Sequence, residues 1–472
     1  MSCPSGNGDE GADVISERVL SFGQERLWFL DRFEPGDAAY NIPLVVRLHG
    51  VLVRDALQAA FDGLIERHDA LRTRFPDDEG RPTAVVERPG PVRIDFVDID
   101  GHDDRALRRI LDERVNTGFE LAIAPPMRVT LVRLGAEEHV LCVVLHHILA
   151  DGWSLNLMRC ELAMRYLAHR KGRRVELPAL PSFADHAARQ REIGEGTERD
   201  LAYWGAQLAD VPVLELPLDR PRGAARGSAS AFHTRRFAGI GPLLDGVARE
   251  RRCTPFMLVL AGYQAVLHRH GGQEDFAVGV PIAGRGEVEH EDLIGYFSNT
   301  LVLRADLSGE PSFAELLRRT RKTALGAYGH DRIPFEQLLG ELRVDRDPAA
   351  AAPLFQTLLT VHTQDDGTDS TKEFAGIHAE DVDPGHRAGK FDLSVDVWRR
   401  GDDLDVVFGY RTALFDESTV VGLAERFESL FRGALADPET PVHLLPLLSP
   451  ADERHVLAAA RGPVGAGPCD SV

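Results

Sequence analysis

Apolar residues recur every three or four positions in "VRDALQAAFDGLIERHDALRTRF" (residues 53–75). Ala56, Leu57, Ala60, Phe61, Leu64 and Ile65 form one stripe, which predicts an amphipathic helix. "SFGQERLWFLDRF" has the same period, with Ser21 as its N-cap. "NIPLVVRLHG" instead alternates, as a strand does. "PVRIDFVDI" reads as a strand, "RALRRILDERVN" as a helix, "MRVTLVRLG" and "EEHVLCVVLHHI" as adjacent strands, and "SLNLMRCELAMRYLAHRKG" as a helix. Helices and strands in this order predict a layered α/β body.

A basic, proline-containing break, "RKGRRVELPALPS" (Arg170 to Ser182), separates this body from a second one. The second opens with a helix over "FADHAARQREIGEGTERDLAYWGAQLA". The turn-rich stretch "PLDRPRGAARGSAS" predicts a mobile loop. The alternation then returns. Strands are expected at "AFHTRRFAG", "EDFAVGVPIAG", "NTLVLRADL", "FQTLLTVHTQ", "FDLSVDVWRR" and "DLDVVFGYRT". Helices are expected at "TPFMLVLAGYQAVLHRH", "SFAELLRRTRKTALGAY" and "DESTVVGLAERFESLFRGAL". The expected division is a disordered leader at 1–16, subdomains at 17–178 and 179–456, and a flexible tail at 457–472. The 472 residues are too many for one core, and the halves share no obvious repeat.

Charge changes the picture by exclusion. A formal net charge of −20 disfavours nucleic acid and anionic membranes as partners. Apolar runs are strand-length, far short of the ~20 residues a spanning helix needs. The first twenty residues do not have the order of a signal peptide. Five cysteines without paired spacing read as reduced thiols, so a cytoplasmic location is expected.

The candidate chemistry lies in "VVLHHILADGWS", from Val143 to Ser154. Strand alternation sends His146 and His147 to opposite faces, so one ring supports and the other faces a cleft. Asp151 can pair with a buried cation or orient an imidazole. Gly152 exposes its N–H, and Trp153-Ser154 opens the next helix, whose N-terminal donors point at the same spot. A neutral imidazole beside such donors suits acyl transfer. The local pattern equally fits two packed, hydrogen-bonded core histidines. No third ligand is spaced for a metal.

His146-His147-x-x-x-Asp151-Gly152 resembles the HHxxxDG signature of condensation domains from nonribosomal peptide synthetases. Other segments are similar to that family's motifs, in order: "SFGQERLWFL" (Ser21 to Leu30), "RHDALRTRF" (Arg67 to Phe75), "IGYFSNTLVLR" (Ile294 to Arg304), "HDRIPFEQL" (His330 to Leu338), "RDPAAAAPLFQTLLT" (Arg346 to Thr360) and "GKFDLSVDV" (Gly389 to Val397). One motif departs: "SFADHAARQR" has Phe183 and Ala188 where the family favours aromatic side chains. The resemblance spans about Ser21 to Ala460. It implies two chloramphenicol-acetyltransferase-like subdomains in a V-shaped pseudodimer with a central tunnel. It further implies that His147 projects into the tunnel and that the Gly152 N–H lies near the substrate carbonyl. By the same resemblance His146 supports the site, Asp151 pairs with Arg285, and Trp153, Ser154 and Asn299 line the tunnel.

The implied activity transfers an aminoacyl or acyl group from a carrier-protein phosphopantetheine thioester to an acceptor amine or alcohol. The implied donor partner is an acyl-loaded peptidyl carrier protein. The acceptor is carrier-bound or a diffusible small molecule, and no cofactor bound by the chain itself is expected. The polar leader and the ending soon after "HVLAAARGP" read as a free-standing enzyme. The alternatives are a domain excised from a multimodular synthetase and a non-catalytic recruitment module. Epimerisation and CoA-dependent relatives fit the later motifs less well, and a cyclisation domain would replace the first histidine and the glycine of HHxxxDG. "RKGRRVE" (Arg170 to Glu176) is a candidate carrier-docking patch or a solvated linker.

Overall fold

The computed structural model describes residues 14–99, 103–192, 194–222, 229–342, 354–362, 373–385, 389–448, 453–454 and 456–457. Most of the expected leader and tail lies outside these residues. The end of the expected leader is not disordered: Val14–Arg18 is a strand paired antiparallel to Ala84–Glu87. Its partner is about seventy residues away, a pairing that local composition does not report.

The first of two six-stranded sheets runs, from edge to edge, Glu373–Phe374, Ile377–Asp381, Asn41–His49, Glu138–His146, Met127–Gly135 and Ile94–Asp98. Its central strand, Glu138–His146, is buried on both faces. Leu141, Val143 and Leu145 pack with the helices Arg54–Arg67 and Gly152–Arg170, while Val140, Cys142 and Val144 pack toward the helix Asp104–Val115. Each such aliphatic side chain contributes about 1.5–3 kcal/mol by leaving water. That double burial gives the strand its unbroken apolar run and fixes the position of its C-terminal end.

The second sheet runs Ser230–Phe237, Asp403–Arg411, Leu393–Arg400, Thr357–His362, Asp275–Ile282 and Asn299–Asp306. The helix Pro255–Gly271 lies at its core, buried over Phe256 to Leu267. Thr254 caps it by accepting the Met257 N–H, Pro255 suits the first turn, and Gly272 ends it at φ +72°. The helices Phe313–Tyr328 and Glu417–Ala436 pack beside it.

Two expectations need correction. The long helix expected after Ser182 is two, Phe183–Gln190 and Glu195–Gln207, interrupted near Gly194. The contiguous second subdomain, 179–456, is also crossed: Ile377–Asp381 pairs with Val46–His49 in the first sheet. Of the expected mobile loop, residues 223–228 lie outside the described residues. The Asp219 and Arg220 N–H groups both donate to Leu414 O.

The turn after Asp275–Ile282 is tightly built. Gly284 has φ +64°, and a Cβ there would lie 2.0 Å from the Phe297 carbonyl oxygen. Gly286, two residues on, has open space around it. Gly284→Ala should therefore cost about 2 kcal/mol or more and lower Tm by several degrees, while Gly286→Ala melts like wild type. Equal melting of both variants in differential scanning fluorimetry would refute this account of the turn.

Candidate functional site

The strand Glu138–His146 delivers the histidine pair. The His146 N–H donates to Pro126 O at 2.9 Å and the His147 N–H to Tyr40 O at 2.7 Å. Gln24, held in a capping box with Ser21, reaches across to donate its side-chain amide to Ile148 O at 3.1 Å. The two rings diverge as alternation requires. His146 is buried near Tyr40 and Phe119, and its Nδ1 accepts the Ile148 N–H at 3.2 Å. Burial and the Lys390 charge push it down to about 3. His147 is partly exposed and meets the Tyr296 ring edge-on at 5.1 Å. Burial, then Lys390, then His146 hold it well below the ordinary imidazole range, so it is neutral at pH 7. Cys142, four residues earlier, is buried and its thiol is pushed up to about 12, which leaves it without nucleophilic character at neutral pH.

Asp151 and Arg285 meet at 3.0 Å between Oδ1 and the guanidinium, and both side chains are almost fully buried. The carboxylate also caps the helix Gly152–Arg170 by accepting the Ser154 N–H at 2.9 Å, and it accepts the Phe297 N–H at 3.1 Å. Arg285 donates further to Ser154 Oγ and to the carbonyls of His290 and Leu293. Its guanidinium lies 4.2 Å over the Phe297 ring. His68 completes the seam: its Nδ1 accepts the Ile294 N–H, and its Nε2 faces Glu161 at 2.9 Å. Ile294, Gly295 and Phe297 of the second lobe are thus hydrogen-bonded to His68, Ser154 and Asp151 of the first.

The remaining expected site residues divide. Gly152 begins the helix, is exposed, and has nothing within 4 Å of where a Cβ would stand. Trp153 is half-exposed and donates its indole N–H to Glu291 O at 2.9 Å. Ser154 is not a lining residue: it is wholly buried, with its hydroxyl donating to Gly295 O and accepting the Gly295 N–H and an Arg285 N–H. Asn299 spends its amide on the chain itself. It donates to Asp331 O and Ile333 O and accepts the Thr300 and Phe335 N–H groups. Both polar side chains serve as hydrogen-bond junctions; Ser154 is sealed from any passage, whereas Asn299 keeps partial exposure. At the departing motif, Phe183 is buried against Phe297 and Ala188 is exposed.

Sequence reasoning missed the side chains around the pair: Tyr40, Tyr296, Arg26, Glu336 and Lys390. Arg26 bonds Glu336 at 3.2 Å, and Lys390 stands 5.4 Å over the Tyr40 ring. Four of the five lie inside quoted motifs, where their positions were the available signal. Among the described residues, Glu287, Glu289 and His290 are close enough to share an ion, and neither member of the pair is among them. No helix among the described residues is long and apolar enough to cross a membrane.

The sequence model of the Condensation domain family matches residues 14–457. The chain belongs to the condensation-domain family. This condensation domain is 39% identical over 452 residues to a linear gramicidin synthase polypeptide of Brevibacillus parabrevis, covering 93% of the chain and 6% of that protein. It therefore spans a small fraction of the curated relative it matches. It is similar to the first condensation domain of the CDA synthetase, with a TM-score of 0.78 and 25% identity, over 92% of this chain and all of that one. The X-domain of teicoplanin biosynthesis, solved as a complex with OxyB, matches with a TM-score of 0.82 and 27% identity, over 95% of this chain and 99% of that one. The two α/β lobes are those of the condensation-domain fold, as the acetyltransferase-like expectation has it.

Two outcomes follow from this geometry. Arg285→Ala leaves the Asp151 carboxylate buried and unpaired and should destabilise the domain by roughly 3–5 kcal/mol in chemical denaturation. Acid acts through His146: its folded value is depressed, so its contribution is present above the ordinary 6.5 and is lost as pH falls toward about 3. Melting temperature should fall over that range, with a shallower slope in His146→Asn. An unchanged slope would contradict the role given to burial of this ring.

Proposed function

We propose that this condensation domain transfers an aminoacyl or acyl group from a carrier-protein phosphopantetheine thioester to an amine or alcohol. The observation that carries the reading is the pairing of a neutral, partly exposed His147 with an exposed Gly152 at a helix N-terminus. In this reading the nucleophile attacks the thioester carbonyl and the C–N or C–O bond forms. The C–S bond then breaks, and the proton taken at His147 leaves with the phosphopantetheine thiol. Gly152 offers its N–H to the oxyanion, and a helix N-terminus favours that charge. A thioester is already activated, so no covalent enzyme intermediate is needed, and positioning supplies much of the rate. His147 holds a proton only briefly, because its surroundings disfavour the cation; its task is to accept and pass on. The donor partner is an acyl-loaded carrier protein, and the exposed run Arg170 to Glu176 is the proposed docking patch. The acceptor is carrier-bound or diffusible, and the location is the cytoplasm.

A second reading, a module that recruits another enzyme, is favoured by the likeness to an X-domain solved with OxyB. Incubation with an acyl-loaded carrier protein and a panel of amines and alcohols, read by mass spectrometry, separates the two. The catalytic reading expects an amide or ester product and a loss of at least about 10²-fold in His147→Ala with unchanged melting. Wild-type turnover in that variant would remove His147 from the chemistry. No product with any acceptor would leave the recruitment reading.

A further inference from the structure

Lys390 enters the site from the second lobe, just before the strand Leu393–Arg400. Its ammonium lies 5.4 Å from the centre of the Tyr40 ring, and Tyr40 belongs to the first lobe. The Tyr40 carbonyl holds the His147 N–H at 2.7 Å, and its ring lies 6.2 Å from that of His146. The same aromatic residue therefore touches both the cation and the histidine pair.

What distinguishes Lys390 is that no carboxylate contacts it directly, although Asp396 lies near enough to act on it. Among the described residues it makes no salt bridge and no hydrogen bond, although it is half-buried. The other cations here are answered: Arg26 by Glu336 at 3.2 Å and Arg285 by Asp151 at 3.0 Å. A desolvated charge held only against an aromatic face is costly, and a fold that keeps one exerts its field on whatever is nearby. We propose that Lys390 is a positioning residue for His147: its fixed positive charge adds to burial in disfavouring the imidazolium, so the ring enters each turnover as an acceptor.

Among the other titratable and charged groups around His147, only His146 on the same strand acts in the same direction, and more weakly than Lys390. Tyr40 and Tyr296 are neutral phenols pushed up by burial. Arg26 and Glu336 offset each other, and the Asp151 carboxylate is engaged by Arg285. Asp396 lies on the Lys390 side and acts to raise the lysine. Burial brings Lys390 down to about 8, which still leaves it charged wherever an imidazole titrates. Since the lysine and the histidine belong to different lobes, the field is complete only when the lobes are seated together.

The inference rests on His147 as the proton acceptor, and its test does not need turnover. Histidine-labelled protein is titrated by NMR from about pH 7 downward within the folded range, with the His147 signal identified by its loss in His147→Gln. In Lys390→Met, the His147 midpoint should rise by about half a pH unit or more, while Lys390→Arg keeps the wild-type midpoint. An unchanged midpoint in Lys390→Met overturns the proposal, as does an equal rise in both variants, which would assign the effect to packing. If Lys390→Met melts early, Lys390→Gln takes its place in the same comparison. Normal turnover in His147→Ala would instead overturn the acceptor reading while leaving this titration intact.

Discussion

A carboxylate and a guanidinium, both taken out of water, face each other where the two lobes join. Neither tolerates that place alone: Asp151 accepts a main-chain N–H from the other lobe, and Arg285 spends its remaining protons on Ser154 Oγ across the junction and on two carbonyls of its own lobe. Asp151 does three things with two oxygens: it caps a helix, answers a cation and holds the Phe297 N–H. The helix cap fixes Gly152 relative to the histidine strand, and the Phe297 contact fixes Tyr296 against His147. A pair of this kind adds little net stability over a well-packed apolar substitute. Its value here is geometric, because it admits one mutual placement of the elements that surround His147.

Around that junction the electrostatics are uneven by design of the fold. His146 and His147 differ by one position, yet one ring is fully buried with its Nδ1 occupied and the other is partly exposed beside an aromatic edge. Period-two alternation is the cause, and burial of the whole strand on both faces makes it rigid. The residues that set the surroundings come from widely separated segments: Arg26, Tyr296, Glu336 and Lys390 each belong to a different motif. Segments that look unrelated along the chain are thus four walls of one site.

Legibility followed the range of the interactions. The twelve strands of the two large sheets include ten whose alternation or apolar run marks them locally. The exceptions, Glu373–Phe374 and Ile377–Asp381, are short and gain their identity from a distant partner. Ser21, Thr254 and Ser312 act as caps because capping is a matter of three adjacent residues. Side-chain direction is another matter. Ser154 and Asn299 carry polar groups that could face a passage or close a junction, and only tertiary packing decides between them. Lys390 lies within a motif, but its importance depends on its place over the Tyr40 ring without a direct carboxylate partner, which no linear reading can show.

The strand Ile377–Asp381 ties the lobes together by main-chain bonding rather than by side chains. Cutting the chain at the basic break after Arg170 would therefore not yield two independent bodies. A fragment ending there would carry Asn41–His49 as an unsatisfied sheet edge, open to pairing with any extended peptide. Chimeras that exchange one lobe between related synthetases inherit the same constraint. A crossover placed in the linker swaps that strand along with the second lobe, so the recipient's first sheet is completed by foreign sequence. Exchange boundaries that respect the sheets must follow the hydrogen bonds, which here do not follow the order of the gene.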